Sequence, residues 1–309
     1  RRHTRYWRDW SSDVCSSDLI SLWSGIGAAA AALGPAIVGW LLTFTWWGAG
    51  FAMTMPLAAL AFLLSLRLPG NLGARSTSVD HIGGILSVVL VATLIGAISF
   101  APNPGQGPLA LVLAGISAVC IVAFLLRERR APHPIFNLQI ATRRTFWVAA
   151  VAGIIVFGSL MGSLFIGQQF LQNVLDYGTF QAGLSILPAA VTMALLSPLS
   201  ARLIPKFGSR ITLMIGFVLL GLGFASMFLW NQSSPYVVVG LTYAVLGAGV
   251  AIAAAPASRS IMDSVPASEL GMGSATNDLQ RDLGGAIMQS VMGSLLVVRY
   301  SSLITAAFN

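Results

Sequence analysis

Long apolar stretches alternate with short polar breaks along the chain from Ile20 onwards. A helix needs about 20 residues to cross a hydrocarbon core of about 30 Å. Nine stretches are long enough, near residues 20–44, 49–66, 81–100, 108–126, 146–172, 180–200, 211–230, 236–256 and 274–298. They are too long for membrane strands and lack the alternation that strands require. The pattern therefore predicts an all-α, polytopic membrane helical bundle with about nine transmembrane helices.

The first nineteen residues, RRHTRYWRDWSSDVCSSDL, do not share this pattern. They could form a basic cytoplasmic extension, or the start of a signal peptide, although no apolar run follows within them. The string DWSSDVCSSDL also resembles the translation of a common sequencing adapter. We favour this third interpretation, which makes residues 1–19 a non-native leader.

Composition narrows the class of protein. Of the 309 residues, 56% are hydrophobic and only 9% carry charge, and the mean hydropathy is +0.82. Soluble domains contain about 25% charged residues, so these values exclude a soluble enzyme and also a disordered chain. Two cysteines are too few for a disulfide-stapled secreted domain.

The net charge of +7 is distributed unevenly between the breaks. The second, fourth, sixth and eighth breaks together carry twelve basic residues, whereas the alternate breaks carry only Arg299. Positive residues accumulate on the cytoplasmic side of membrane proteins. We therefore expect segment 127–144 inside and Asn103, Asp176 and Asn231 outside, and we assign the positive charge to orientation and not to nucleic acid.

Catalytic groups are scarce at membrane depth. The three histidines lie in the leader, at a helix start and in a loop, without metal-ligand spacing, and no nucleophile elbow or phosphate-binding loop occurs. We predict no catalytic residue, no metal site and no cofactor, so transport is favoured over an enzyme. A non-transporting membrane scaffold and a membrane enzyme such as an acyltransferase remain alternatives.

Gly34, Pro35 and Gly39 occur in the sequence GPAIVG after an alanine-rich stretch. This segment resembles the antiporter motif in the fifth span of the major facilitator superfamily. The glycines would let a neighbouring helix approach, and the proline would bend the helix. An ordinary small-residue packing face with a proline kink is the alternative, since further glycines of the family pattern are replaced by Ser21, Ala30 and Val38.

Other short motifs follow in order along residues 20–309. They are Asp80-His81-Ile82-Gly83, Pro134-Ile135-Phe136, Leu171-Gln172-Asn173-Val174-Leu175, Ala182-Gly183, Leu187-Pro188, Gly273-Ser274-Ala275, Asn277, Arg281 and Gly284-Gly285. Their order resembles the drug:proton antiporter-2 (QacA/EmrB-type) branch of the superfamily. The resemblance implies a multi-pass protein of the bacterial inner (plasma) membrane, exporting a small hydrophobic or cationic substrate against proton entry. A metabolite or siderophore carrier is the alternative within transport.

The same resemblance implies part of a fourteen-span transporter. Residues 20–67 would be the last two spans of the N-terminal half, residues 68–130 two extra spans, and residues 131–309 the first five spans of the C-terminal half. Because the acidic residues lie at the predicted membrane interfaces, the coupling carboxylate is expected in another part of the protein. We therefore expect that this segment alone does not transport.

Three polar clusters are candidate functional sites. Gln169, Gln172 and Asn173, together with Gln168, form pairs four residues apart that could line a substrate cavity or lie as amides at headgroup depth. Asn277 and Arg281 also share a helix face and could bind substrate or be solvated at the interface.

The third cluster is the basic segment with Arg202, Lys206 and Arg210. It resembles the cytoplasmic-loop motif of the superfamily's second half, whose charges latch the cytoplasmic side. Pro205 replaces the motif's aspartate and Ala201 its glycine. A plain positive-inside loop is therefore the favoured interpretation.

Overall fold

A computed structural model describes residues 34–67, 80–103, 105–131, 136–266 and 269–308, with side chains up to residue 303. Within these ranges the secondary structure is helical and no strand occurs. The predicted leader 1–19 and most of the first apolar stretch lie outside the described residues.

The described chain contains eleven helical segments, which we number in order. They are α1 (described over 34–41), α2 (Ala49–Ala52), α3 (Thr54–Ser65), α4 (His81–Phe100), α5 (Gly107–Arg130), α6 (Leu138–Ala141), α7 (Arg144–Asn173), α8 (Thr179–Leu184), α9 (Leu187–Met227), α10 (Tyr236–Met262) and α11 (Leu270–Phe308).

Six helical segments of the described ranges are long and apolar enough to cross a membrane. The predicted number of about nine is not confirmed. Two predicted stretches fall within one continuous segment, Thr179–Met227, and the stretch at 49–66 forms the shorter apolar segment Ala49–Ser65. The predicted all-helical membrane bundle is confirmed, and five further stretches coincide with α4, α5, α7, α10 and α11.

Helix α9 changes direction at Gly208, whose φ of 78° and ψ of 163° are not helical. Only glycine adopts this combination without strain. The two arms of α9 pack along α10 in opposite directions. In the first arm Thr192 and Ser200 donate to the backbone oxygens of Ala244 and Ile252. The polar break predicted near residue 208 is therefore the turn between two antiparallel arms.

The best-packed core lies between α7, α9 and α10. Tyr243, Leu246 and Val250 of α10 are fully buried there. On the second arm of α9, Gly216 and Gly223 lie against Ala253 and Leu246, where an added Cβ would collide. Lipid tails are as apolar as leucine, so burying apolar side chains does not drive helices together in a bilayer. Close packing of small residues therefore contributes to the association of these helices.

Helices α7 and α11 run parallel and touch through glycines. A Cβ at Gly158 would come within 2.8 Å of the Gly284 carbonyl oxygen. A Cβ at Gly284 would overlap the Ile154 carbonyl oxygen in turn. The two backbones are therefore in direct contact, as in other small-residue helix pairs of membrane proteins.

Helices α4 and α5 form an antiparallel pair beside α11. Ser117 of α5 donates to the Leu90 carbonyl oxygen. On the other side of α4, Ser99 donates to the Ser290 hydroxyl over 3.3 Å and Ser294 of α11 donates to the Ile98 carbonyl oxygen over 2.8 Å. These hydrogen bonds place the C-terminal end of α4 next to α11.

Candidate functional site

A cavity of about 1440 Å³ opens between the C-terminal part of α4, the C-terminal end of α7 and the second half of α11. We call it the α4–α7–α11 cavity. Its wall contains amides and serine hydroxyls together with aromatic and aliphatic side chains, and none of the described residues that line it is acidic or basic. Two predicted substrate-binding residues, Gln169 and Asn173, belong to this wall.

The amides at the end of α7 occupy two different faces. Asn173 donates to Gln169 over 2.7 Å on the face that lines the cavity. Gln172 donates to Gln168 over 3.0 Å, and Gln168 donates to the Ala182 carbonyl oxygen of α8 over 3.0 Å. Gln172 therefore belongs to the α8 side of α7 and does not line the cavity.

The other two predicted substrate-binding residues lie in the N-terminal third of α11, and Arg281 lies beside the middle of α7. The guanidinium carbon of Arg281 lies 5.8 Å from the centroid of the Phe157 ring, within the range of a cation–π contact. Arg281 forms no ion pair with a described residue, neither with Asp278 nor with Asp282. Asn277 accepts a 2.6 Å hydrogen bond from the buried Gln280.

The five predicted substrate-binding residues thus do not form one site. Phe157, which contacts Arg281, precedes Gln169 by twelve helical positions on α7, which corresponds to roughly 18 Å along the axis. The structure brings together Gln169 with Asn173, and places Asn277 and Arg281 on neighbouring turns of α11.

Two of the three predicted antiporter-motif residues contact a neighbouring helix, and the third does not. A Cβ at Gly39 would lie 2.5 Å from the Thr179 carbonyl oxygen, and the Thr179 hydroxyl donates to the Gly39 oxygen over 3.1 Å. A Cβ at Gly183 would lie 2.6 Å from the Pro35 oxygen. Gly34 has open space around its Cα. Gly39 and Pro35 therefore contact α8. At position 34 there is room for a side chain, so the packing does not require a glycine there.

The predicted cytoplasmic-loop residues Arg202, Lys206 and Arg210 lie on α9 around the turn at Gly208, and all three are exposed. None of them forms an ion pair within the described ranges. This geometry shows three solvated charges and no partner acid, as expected for a positive segment at a membrane surface.

Three further polar residues in the bundle were not singled out from the sequence. Gln280 is 1% exposed, and its Oε1 lacks a hydrogen bond among the described residues and rests on Gly153 of α7. The buried Tyr243 hydroxyl similarly rests on Gly167. Gln289 lines the α4–α7–α11 cavity. Gln280 and Tyr243 each face a glycine of another helix. The sequence does not show which helices are neighbours, so these pairs could not be found from it.

An ion pair joins the beginning of α4 to the end of α5. Asp80 accepts from Nε and Nη2 of Arg127 over 3.0 and 3.1 Å, and it also caps α4 by accepting from the Gly83 N–H. The hydrogen bond from the Arg127 guanidinium holds the pKa of the Asp80 carboxyl below its usual value, with the N–H of Gly83 acting in the same direction.

The Asp80–Arg127 ion pair should stabilise the chain only at pH values at which the Asp80 carboxyl is charged. Because the folded pKa is lowered, the charged pair stabilises the chain above the usual carboxyl pKa of about 4, and the contribution disappears as the pH falls through the lower folded value. We expect Asp80→Asn to lower the unfolding temperature at pH 7 and to match the wild type at the most acid pH. Tryptophan fluorescence melts across the pH range test this, and a pH-independent difference would contradict it.

The described residues contain no group of three or more His, Cys, Asp or Glu side chains that could hold a metal ion. Asp80, Glu128 and the backbone N–H of Phe136, which donates to Glu128 over 3.1 Å, form a polar cluster at the α4–α5 end. With Arg127 this cluster connects the helix pair to the segment preceding α6.

Comparison with known proteins identifies the family. The model of the Major Facilitator Superfamily matches residues 4–288. The matched range begins at residue 4, inside the predicted leader. The non-native origin of residues 1–19 therefore stays a prediction.

Among the curated relatives, multidrug resistance protein Stp of Mycobacterium tuberculosis is 32% identical over 92% of this chain and 53% of its own length. Multidrug efflux pump LfrA of Mycolicibacterium smegmatis is 25% identical over 92% of this chain and 56% of its own. Drug efflux pump JefA of Mycobacterium tuberculosis is 27% identical over 90% and 55%. The chain spans about half the length of these relatives. From the matched range and the six membrane-capable helices, the chain belongs to the major facilitator superfamily of multi-pass membrane transporters.

Proposed function

We propose that this chain forms part of a proton-coupled exporter of small hydrophobic or cationic compounds that works by alternating access between two helical halves. The observation that carries this proposal is the similarity to multidrug resistance protein Stp over 92% of the chain. Two further relatives are also named as drug efflux pumps. The proposal includes the fourteen-span, antiporter-2 type of architecture.

The geometry supports two polar regions along one transport path. Gln169 and Asn173 present amides to the α4–α7–α11 cavity at one end of α7. Asn277 and Arg281, in the N-terminal third of α11, present an amide and a cation, with Arg281 beside the middle of α7. We propose that substrate meets these groups in different states of the transporter, since each is too far from the other for a small molecule to touch both at once.

The Gly39 contact supports a role in the alternation. In the proposed organisation, residues 20–67 close the N-terminal half, residues 68–130 are inserted spans, and residues 131–309 belong to the C-terminal half. The contact of Gly39 and Pro35 with Thr179 and Gly183 would then join the two halves. Such a contact must break and re-form during transport. In the same proposal Arg202, Lys206 and Arg210 lie on the cytoplasmic side.

Efflux measurements test the proposed function. Cells that express the complete gene should extrude a lipophilic dye, and dissipating the proton gradient should abolish the extrusion. Gln169→Ala and Arg281→Ala should each lower the efflux rate by at least about threefold, the effect of one lost hydrogen bond or cation contact, without lowering membrane insertion.

Matched substitutions provide the controls. Gln181→Ala on α8 and Arg299→Ala on α11 remove the same types of side chain from exposed positions without side-chain hydrogen bonds or ion pairs to the described residues. These variants should transport as the wild type does. Gradient-independent efflux would contradict proton coupling, and wild-type rates for both Gln169→Ala and Arg281→Ala would remove these two residues from the site.

A further inference from the structure

The α4–α7–α11 cavity contains amide groups whose hydrogen-bonding capacity is not used within the described residues. Asn173 donates to the Gln169 oxygen, which leaves the Gln169 amide nitrogen and the Asn173 oxygen available. Gln289, on the opposite wall, makes no side-chain hydrogen bond to a described residue. All three side chains are exposed to the cavity, so their unused groups can bind a ligand. The convergence of these amides from two helices on one cavity therefore indicates a ligand that both donates and accepts hydrogen bonds.

Aromatic rings form another part of the same wall. Phe165 and Phe170 of α7 and Tyr300 of α11 line the cavity. Aromatic side chains stack on the flat face of aromatic ligands and contribute beyond the area that they bury. The combination of rings and neutral amides is typical of small-molecule sites, which are mostly apolar with a few placed polar groups.

The described lining carries no charge, which bears on the ligands that fit. Among the described residues that line the cavity, none is an aspartate, glutamate, lysine, arginine or histidine. A cation that enters such a site loses its hydration without gaining an opposite charge, and cation–π contacts with the rings compensate only in part. A neutral molecule loses only hydrogen bonds with water, which the amides replace.

Helix α4 contributes the third wall. Ser99 lines the cavity and is hydrogen bonded to Ser290, and Asn103 lines it just beyond the end of α4. In the proposed organisation α4 is one of the two spans inserted between the halves. The cavity is thus not confined to the six-span half to which α7 and α11 would belong.

We propose that the α4–α7–α11 cavity is a binding site for uncharged aromatic molecules that carry both a hydrogen-bond donor and an acceptor, such as aromatic carboxamides, and that α4 forms part of this site. The inference shares Gln169 and Asn173 with the transport path and rests on the proposed function for its use in export. Binding itself can be measured without transport.

Photolabelling with two matched probes tests the site. One probe is a neutral aryl-diazirine carboxamide, and the other carries a trimethylammonium group in place of the carboxamide. Each is photolysed with the purified full chain in lipid nanodiscs, and the labelled peptides are identified by mass spectrometry. We expect the neutral probe to label α4, α7 and α11, and the cationic probe to label them at least about tenfold less.

Substitutions locate the label within the cavity. Gln169→Leu and Gln289→Leu should each lower neutral labelling about fivefold, as expected for one lost hydrogen bond. Ser99→Phe should lower it similarly by filling the cavity from α4. Gln181→Leu is the control, because Gln181 does not line the cavity. An unchanged melting temperature shows that each variant is folded, and a variant that fails this criterion is replaced by the alanine substitution at the same position.

Four outcomes would overturn the inference. They are equal labelling by the two probes, an equal loss in Gln181→Leu, no loss in Gln169→Leu and Gln289→Leu, and label confined to other helices. The dye-efflux assay separates this inference from the proposed function. Efflux without selective labelling would leave the exporter proposal intact and refute this site, whereas selective labelling without efflux would do the reverse.

Discussion

Gly284→Ala is expected to destabilise the chain far more than Gly293→Ala, the same substitution on the same helix. A Cβ at Gly284 would overlap the Ile154 carbonyl oxygen and lie 3.1 Å from the Gly158 nitrogen. Both atoms belong to the backbone of α7, so no side-chain rotation relieves the collision. Separating the two helices should cost about 1–3 kcal/mol of unfolding free energy.

Gly293 is the control position, because it lies on the same helix and also faces α7. A Cβ at Gly293 would meet the Phe165 ring at 3.6 Å, an ordinary van der Waals distance. Gly293→Ala should therefore leave the stability nearly unchanged or raise it slightly, since alanine is the better helix former. Denaturant titration in mild detergent, followed by tryptophan fluorescence, measures the difference. Equal destabilisation by both substitutions would show that α7 and α11 do not touch at Gly284.

Gly39→Ala should impair transport, whereas Gly34→Ala should not. At Gly39 an added Cβ would lie 2.5 Å from the Thr179 carbonyl oxygen and 3.2 Å from the Phe180 Cα. At Gly34 it would meet nothing within 4 Å. Separating α1 from α8 should cost about 1–3 kcal/mol, which corresponds to a shift of about 5- to 150-fold away from any state that needs this contact.

Dye efflux from cells expressing the complete gene measures this effect, normalised to the amount of protein in the membrane. The expected result is about a tenfold lower rate for Gly39→Ala and an unchanged rate for Gly34→Ala. Gly183→Ala forms a second test from the other side of the contact, because its Cβ would lie 2.6 Å from the Pro35 oxygen. Loss of efflux in Gly34→Ala alone would contradict the observed packing.

The positions of the membrane helices were predictable because bilayer thickness imposes a length that apolar composition reveals directly. The predicted stretches 81–100 and 146–172 agree closely with His81–Phe100 and Arg144–Asn173. The turn in α9 was visible as a polar break, but its location at one residue depends on the unusual dihedrals of Gly208. The number of predicted spans differed from the number of membrane-capable helical segments where one segment, Thr179–Met227, contained two predicted stretches.

The candidate residues were harder to predict because helix periodicity determines which residues share a face and says nothing about what that face contacts. Spacing by four correctly paired Gln169 with Asn173 and Gln172 with Gln168. It could not show that the first pair lines a cavity and the second connects to α8. Nor could it distinguish Gly39, which touches α8, from Gly34, which does not.

The sequence alone determined the class of protein, the membrane-spanning segments and the family resemblance, because these depend on local hydropathy, on charge placement and on short motifs. Tertiary structure alone decided which glycines are required, that Gln280 rests on Gly153, and that α4 joins α7 and α11 around one cavity. In a bilayer these contacts arise from close packing and hydrogen bonds between helices distant in sequence. Such packing leaves only a weak trace in the sequence, since a small residue reads the same whether it faces lipid or another helix.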